Sequence, residues 1–233
     1  LSVTWSELQD LVTRLAGWVA PASWTTQNTA DFVIIVRRGL RRYYFPPPLE
    51  PGQPAHGWSF LRKEGRIVLE AGRSLYDLPD DFVDILDPSM TYLAGSGKRA
   101  LSMVHEYELA AIIGKVSSNS GDPQYFAIRV KPNVPTDGQR WEALLYPTPT
   151  ATSGTLRFRY SVLPDTLTSV NNHPWGGAQY SALVCEAVLA EAEIYLDDDA
   201  AGVHNQRFME MLGSAIKLDT EAKSKTTPEV ERL

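Results

Sequence analysis

The sequence predicts an α+β protein: a helical bundle formed by N- and C-terminal helices, with a β-rich insertion (an antiparallel sheet or sandwich) between them. Apolar residues recur at helical spacing before residue 45 and after residue 174, and neither pair of helices alone makes a core. Between them the pattern changes to alternation, cleanest in 155–162, where Leu156, Phe158, Tyr160 and Val162 share one side and Arg157, Arg159 and Ser161 the other. A stretch rich in Pro and Gly, 46–57, marks the change. The expected divisions are 1–45 with 174–223 as the bundle, 46–57 as a linker, 58–163 as the insertion and 224–233 as a flexible C-terminal tail.

Each element has a local reason. Thr4 and Glu7 have capping-box spacing, Leu8, Leu11, Val12 and Leu15 follow on one helical face, and Gly17 and Pro21 end the first helix. A second helix is expected from 26–28 to Tyr44, with Phe32, Ile35, Val36, Gly39, Leu40 and Tyr43 on one face. Pro46-Pro47-Pro48 stops it. Strands are expected at 67–69, 125–130, 141–146 and 155–162, with a helix at 103–115 and turns at Gly121-Asp122-Pro123 and Thr136-Asp137-Gly138. Pro174 fits a first helical turn. The run 179–196 is apolar on several faces, the pattern of a helix buried on several sides, and a neighbouring subunit is one source of that cover. Asp197-Asp198-Asp199 breaks it, and a last helix, 203–222, carries Phe208, Met211, Leu212, Ala215 and Ile216.

Composition removes several function classes. The formal net charge of -6 argues against a surface built as a whole to hold nucleic acid. The single cysteine, Cys185, forbids an intrachain disulfide and, set in an apolar helical run, reads as a buried, inert thiol. No apolar run is long enough to span a bilayer and no signal peptide is evident, so a soluble chain that is not exported is expected.

Catalytic signatures are missing. Tyr92-Leu93-Ala94-Gly95-Ser96-Gly97-Lys98-Arg99 resembles a phosphate loop but lacks its first glycine and the Ser or Thr after lysine. His56, His105, His173 and His204 have no metal-ligand spacing, and no nucleophile elbow is present. No cofactor is implied. Asp80-Asp81 reads as a solvated turn. Arg37-Arg38-Gly39-Leu40-Arg41-Arg42 is the strongest charge feature; Arg37 shares a helical face with Arg41, and Arg38 with Arg42. The four complement a helix C-terminus, or else form a subunit interface or channel surface that meets acidic groups or DNA phosphates.

Trp58-Ser59-Phe60-Leu61, Leu78-Pro79-Asp80-Asp81-Phe82, Leu145-Tyr146-Pro147-Thr148-Pro149, the strand ending at Tyr160 and His173-Pro174-Trp175-Gly176 with two following helices resemble, in order and spacing, the head-to-tail adaptor proteins of tailed bacteriophages. That resemblance implies a structural virion protein: a twelve-subunit ring docked on the portal, extending the DNA channel and offering the tail, or nozzle, its attachment surface. DNA would pass without sequence-specific binding, and no membrane is involved. It places portal contact on the last helix and tail, including Lys217, Lys223 and Lys225. A carbohydrate-binding module with helical appendages is the alternative; it requires Trp58, Trp141 or Trp175 exposed together. A hydrolase with a dispersed site would require His105 or His173 in a pocket with a carboxylate and a nucleophile.

Overall fold

The computed structural model describes residues 1–93, 97, 99–115, 120–134, 138–151, 154–197 and 202–226. In chain order its helices are α1 (Trp5–Ala16), α2 (Thr26–Tyr44), α3 (Glu106–Lys115), α4 (Ser181–Asp197) and α5 (Val203–Thr226). Its strands are β1 (Arg62–Val68), β2 (Leu75–Asp77), β3 (Phe82–Ile85), β4 (Ser89–Tyr92), β5 (Leu101–Met103), β6 (Tyr125–Val134), β7 (Gly138–Tyr146) and β8 (Thr155–Val162). They form two compact units, Leu1–Leu61 with Pro164–Leu233, and Arg62–Leu163. The first is helical and the second β-rich, the α+β class that the sequence predicts.

In the helical unit, α1 starts from the expected capping box. The Glu7 amide donates to Thr4 Oγ1 at 3.2 Å and the Thr4 amide to Glu7 Oε2 at 2.7 Å. Gly17, at φ +64°, closes the helix with a left-handed cap. Thr25 and Asn28 cap α2 reciprocally in the same way, each amide donating to the other side chain at 3.1 Å. Helix α4 is central, packing against α1, α2 and α5. Its Val184, Ala187, Val188, Ala190 and Ala192 are buried. Its apolar faces are therefore covered from within the chain, and the neighbouring subunit anticipated as cover is not required by α4. The approach of α2 is close: a Cβ on Gly39 would lie 2.6 Å from Val188 Cα.

Two helix boundaries differ from expectation. Pro174 does not open α4, which begins only at Ser181 after a 3-10 turn, Ala178–Tyr180. Gly176 and Gly177, at φ +107° and +82°, hold the backbone outside the helical region. Helix α5 runs through Thr226, so 224–226 are helical where a tail was expected. Residues 227–233 lie outside the described residues, as do Asp198 and Asp199 of the acidic cluster, Thr136 and Asp137 of one turn, and Ala94, Gly95, Ser96 and Lys98 of the phosphate-loop look-alike.

The β unit is a mixed, nearly closed sheet in the order β1-β8-β4-β5-β6-β7-β2, with β3 also paired to β8. Among the described strand pairs β5–β6 is parallel and the others antiparallel. The two ends of the path, β1 and β2, are consecutive in the chain. Phe82 of β3 stacks on Tyr160 of β8 at 5.7 Å and reaches Trp141 of β7 at 6.2 Å, so the sheet curls around one interior. Ile67, Met90, Leu101, Phe126, Leu145, Leu156 and Phe158 are buried. Helix α3 covers the opposite face of β6 and β7, where Leu109, Ala127 and Tyr146 form a second cluster.

Candidate functional site

The two motifs at the heart of the resemblance meet in space inside the helical unit. Trp58 is buried, and its Nε1 donates to the Tyr43 carbonyl at 2.8 Å. Its ring lies 5.8 Å from Tyr43, 5.4 Å from Phe60 and 5.2 Å from Tyr180. Tyr43 Oη donates to the Trp175 carbonyl at 3.1 Å, and the Trp175 amide donates to Tyr44 Oη at 3.1 Å. Burial pushes the Tyr44 hydroxyl up to about 12 and the Tyr43 hydroxyl higher still, so both stay protonated, Tyr43 as donor and Tyr44 as acceptor in these bonds. A Cβ on Gly176 would collide with Tyr43 Oη. The last turn of α2, 58–61 and 173–176 are thus one aromatic clasp.

A buried carboxylate locks α5 to the same segment. Asp219 is fully buried. It accepts the Ser59 amide at 3.2 Å and the Ser59 hydroxyl, and lies 2.9 Å from both His56 Nε2 and Lys223 Nζ. Burial alone would raise its carboxyl; the bonds from Ser59, Lys223 and His56 outweigh that and hold it below the usual carboxylate range. The signal was present in the sequence, because Asp219 falls seven residues after buried Leu212 and eleven after buried Phe208, on the core-facing stripe of α5.

The four arginines separate into two kinds. Arg42 is an internal pin: it donates to Asn205, lies 3.4 Å from Glu191 Oε1, and its guanidinium sits 4.8 Å above the Phe208 ring. Arg38 lies over Tyr195 at 5.5 Å, and Tyr195 Oη donates to Asp31 at 2.8 Å. Arg37 and Arg41 are exposed, with no carboxylate partner among the described residues. Half-buried Ile34 and exposed Phe45 flank them at helical spacing. On α5, Lys217 is exposed, Lys223 also donates to the Gly57 carbonyl at 2.7 Å, and Lys225 lies in the last two residues of the helix.

Other expected features are placed differently. Asp80 and Asp81 are paired rather than merely solvated: Asp80 meets Arg140 at 2.6 Å, and Asp81 meets Lys63 at 2.7 Å and Tyr160 Oη at 3.0 Å. Cys185 is half-buried, not buried; desolvation, followed by Glu186 and Glu7, pushes its thiol up to about 11. The histidines that meet carboxylates are His56 and His204, the latter 2.7 Å from Glu186. His105 stacks on Tyr107, and His173 Nδ1 lies 3.4 Å from the Val3 carbonyl. Among the described residues no group of His, Cys, Asp or Glu is set to hold a metal. Trp58 is interior and so does not offer its face to a sugar, and Trp141 packs on Phe82.

Charge divides unevenly. The β unit has 12 basic and 12 acidic residues, and the helical unit 10 and 16, so the net charge of -6 resides on the helical unit. No described helix is long and apolar enough to cross a membrane. A family model described as SU10 adaptor protein matches residues 6–231. The chain belongs to the SU10 adaptor family. These are phage head-to-tail adaptors, structural proteins and not enzymes, and the match covers nearly the whole chain. No curated protein matches it.

Proposed function

We propose that this SU10-family adaptor forms a ring, twelve copies by resemblance, that docks on the portal at the head-tail junction of the virion, extends the DNA channel and presents the tail with its attachment surface. The observation that carries this is family membership over residues 6–231 together with a helical unit whose α2 exposes Arg37 and Arg41, which have no carboxylate partner among the described residues. A net-acidic unit with two such exposed arginines suits a head-to-tail contact between identical copies, each offering cations to the next copy's carboxylates. Alternatively the same pair lines the channel; a chain of net charge -6 then lets DNA slide without clamping it. Portal contact falls to the end of α5, with Lys217, Lys223 and Lys225. Assembly takes place in the host cytoplasm, and no cofactor enters.

Native mass spectrometry of portal rings mixed with the purified chain tests this. The expected result is a portal carrying a fixed, symmetric number of added chains, lost when Arg37→Glu and Arg41→Glu are combined. A chain that stays folded and never joins the portal at any salt concentration overturns it.

A further inference from the structure

The outer face of β1, β8 and β4 carries an arrangement that folding alone disfavours. Arg66 and Arg157 are register partners across the antiparallel β1–β8 pair. Like charges directly opposite one another destabilise a sheet. Both turn to one carboxylate: Glu64 lies 3.2 Å from Arg66 Nη2 and 4.0 Å from Arg157 Nη1. Arg159 is held apart by two parallel bonds to Asp87, at 2.7 and 2.9 Å, and these bonds draw the Asp87 carboxyl below its usual range. Arg62 alternates onto the same face as Glu64 and Arg66. Four guanidinium groups thus stand against Glu64 and Asp87. Val68, 62 % exposed, extends the face with an apolar side chain. A shallow concavity of about 330 Å³ lies on it, with Ser89 and Thr91 in its wall.

Arg157 Nε also donates to Thr91 Oγ1 at 3.1 Å. We propose that this face docks a carboxylate-bearing surface of a partner protein, whose acidic side chains complete the charge pairing that Glu64 divides between Arg66 and Arg157. Arginine beside an exposed apolar residue and a hydroxyl rim is the composition of a protein interface. DNA fits less well. The unit as a whole is neutral, so it exerts no long-range pull on a polyanion, and Glu64 and Asp87 would oppose a continuous phosphate backbone. In an adaptor the partner is a tail component; the identity of the partner rests on the proposed function, whereas the face does not.

Fluorescence anisotropy of the whole chain with labelled poly-glutamate, and separately with a short DNA duplex, tests the proposal. Salt-sensitive binding of poly-glutamate is expected, weakened about tenfold when Arg66→Gln and Arg157→Gln are combined. Glu64→Gln, which frees both arginines, is expected to tighten it. Absence of poly-glutamate binding, equal binding by the double variant, or tighter binding of the duplex to this face would each overturn the proposal. All three side chains are exposed, so circular dichroism stays unchanged. Electron microscopy of portals mixed with the wild-type chain separates the two ideas: failure to form a ring counts against the adaptor function and leaves the poly-glutamate result standing.

Discussion

At Asp219, a single carboxylate gathers a loop amide, a hydroxyl, an imidazole and an ammonium in a site closed to water. Removing one partner from a buried charge cluster leaves the rest unpaired, at a cost of about 3 kcal/mol. Asp219→Asn is expected to lower the stability of the helical unit by that order, read from the urea midpoint. Because the folded-state carboxyl is held low, its contribution is complete above the unfolded pKa and fades as pH falls through the folded value. The gap between wild type and Asp219→Asn should therefore narrow below about pH 4; a gap constant down to that range and beyond would deny the carboxylate its role. Cys185 gives a simpler test. A thiol pushed up to about 11 is almost entirely protonated near neutrality, so alkylation at pH 8 is expected at least about tenfold slower than for an unhindered cysteine. Of the two, only the place of Asp219 on the core-facing stripe of α5 was legible in the sequence; its partners and the exposure of Cys185 were not. Asp219 depends on Ser59, 160 residues away, and the exposure of Cys185 depends on how far α1 covers α4.

Among the elements, legibility followed the distance over which the causes act. The α1 capping box is written in four residues and was readable; so was β8, whose alternation spans its length. Strands β2, β3, β4 and β5 are three or four residues long, too short to show a period, and exist because β7, β8 and β6 offer them partners. The start of α4 was misplaced because Pro174 is compatible with a first helical turn, while the positive φ of Gly176 and Gly177, and the Tyr43 hydroxyl set against Gly176, arise only in the folded chain. The α2–α4 contact is tight enough to test at one atom. Gly39→Val is expected to push the helices apart and cost about 2–3 kcal/mol, whereas Gly213→Ala on α5, with open space around it, is expected to be neutral or mildly stabilising. If both behave alike in thermal unfolding, the packing described for α2 is wrong. Arg42 belongs at this scale too. It ties α2 to α4 and α5, so Arg42→Ala should lower stability by about 1–2 kcal/mol without weakening attachment to portals, while Arg37→Glu with Arg41→Glu should do the reverse.

For the whole molecule, the sequence motifs and the function connect through the clasp. The residues that mark the family resemblance at 58–61 and 173–176 pack within the helical unit, with Trp58, Leu61 and Pro174 buried, Phe60 and Trp175 half-buried and His173 exposed. Recognition by those motifs therefore reports the scaffold, and the working surfaces that we propose lie elsewhere, on the exposed face of α2, on α5 and on the arginine face of β1 and β8. That is why the family was legible in the sequence and the interfaces were not. A motif made of buried aromatics has a strict pattern, whereas an interface needs only a few exposed side chains of suitable charge. The measurement that bears most directly on the adaptor function is cryo-electron microscopy of portal rings from the same virus incubated with the purified chain. A symmetric added ring at one end, with α5 against the portal and Arg37 and Arg41 at the contact between neighbouring chains or on the channel wall, is the expected result. Portals left bare by a folded, monomeric chain would contradict it.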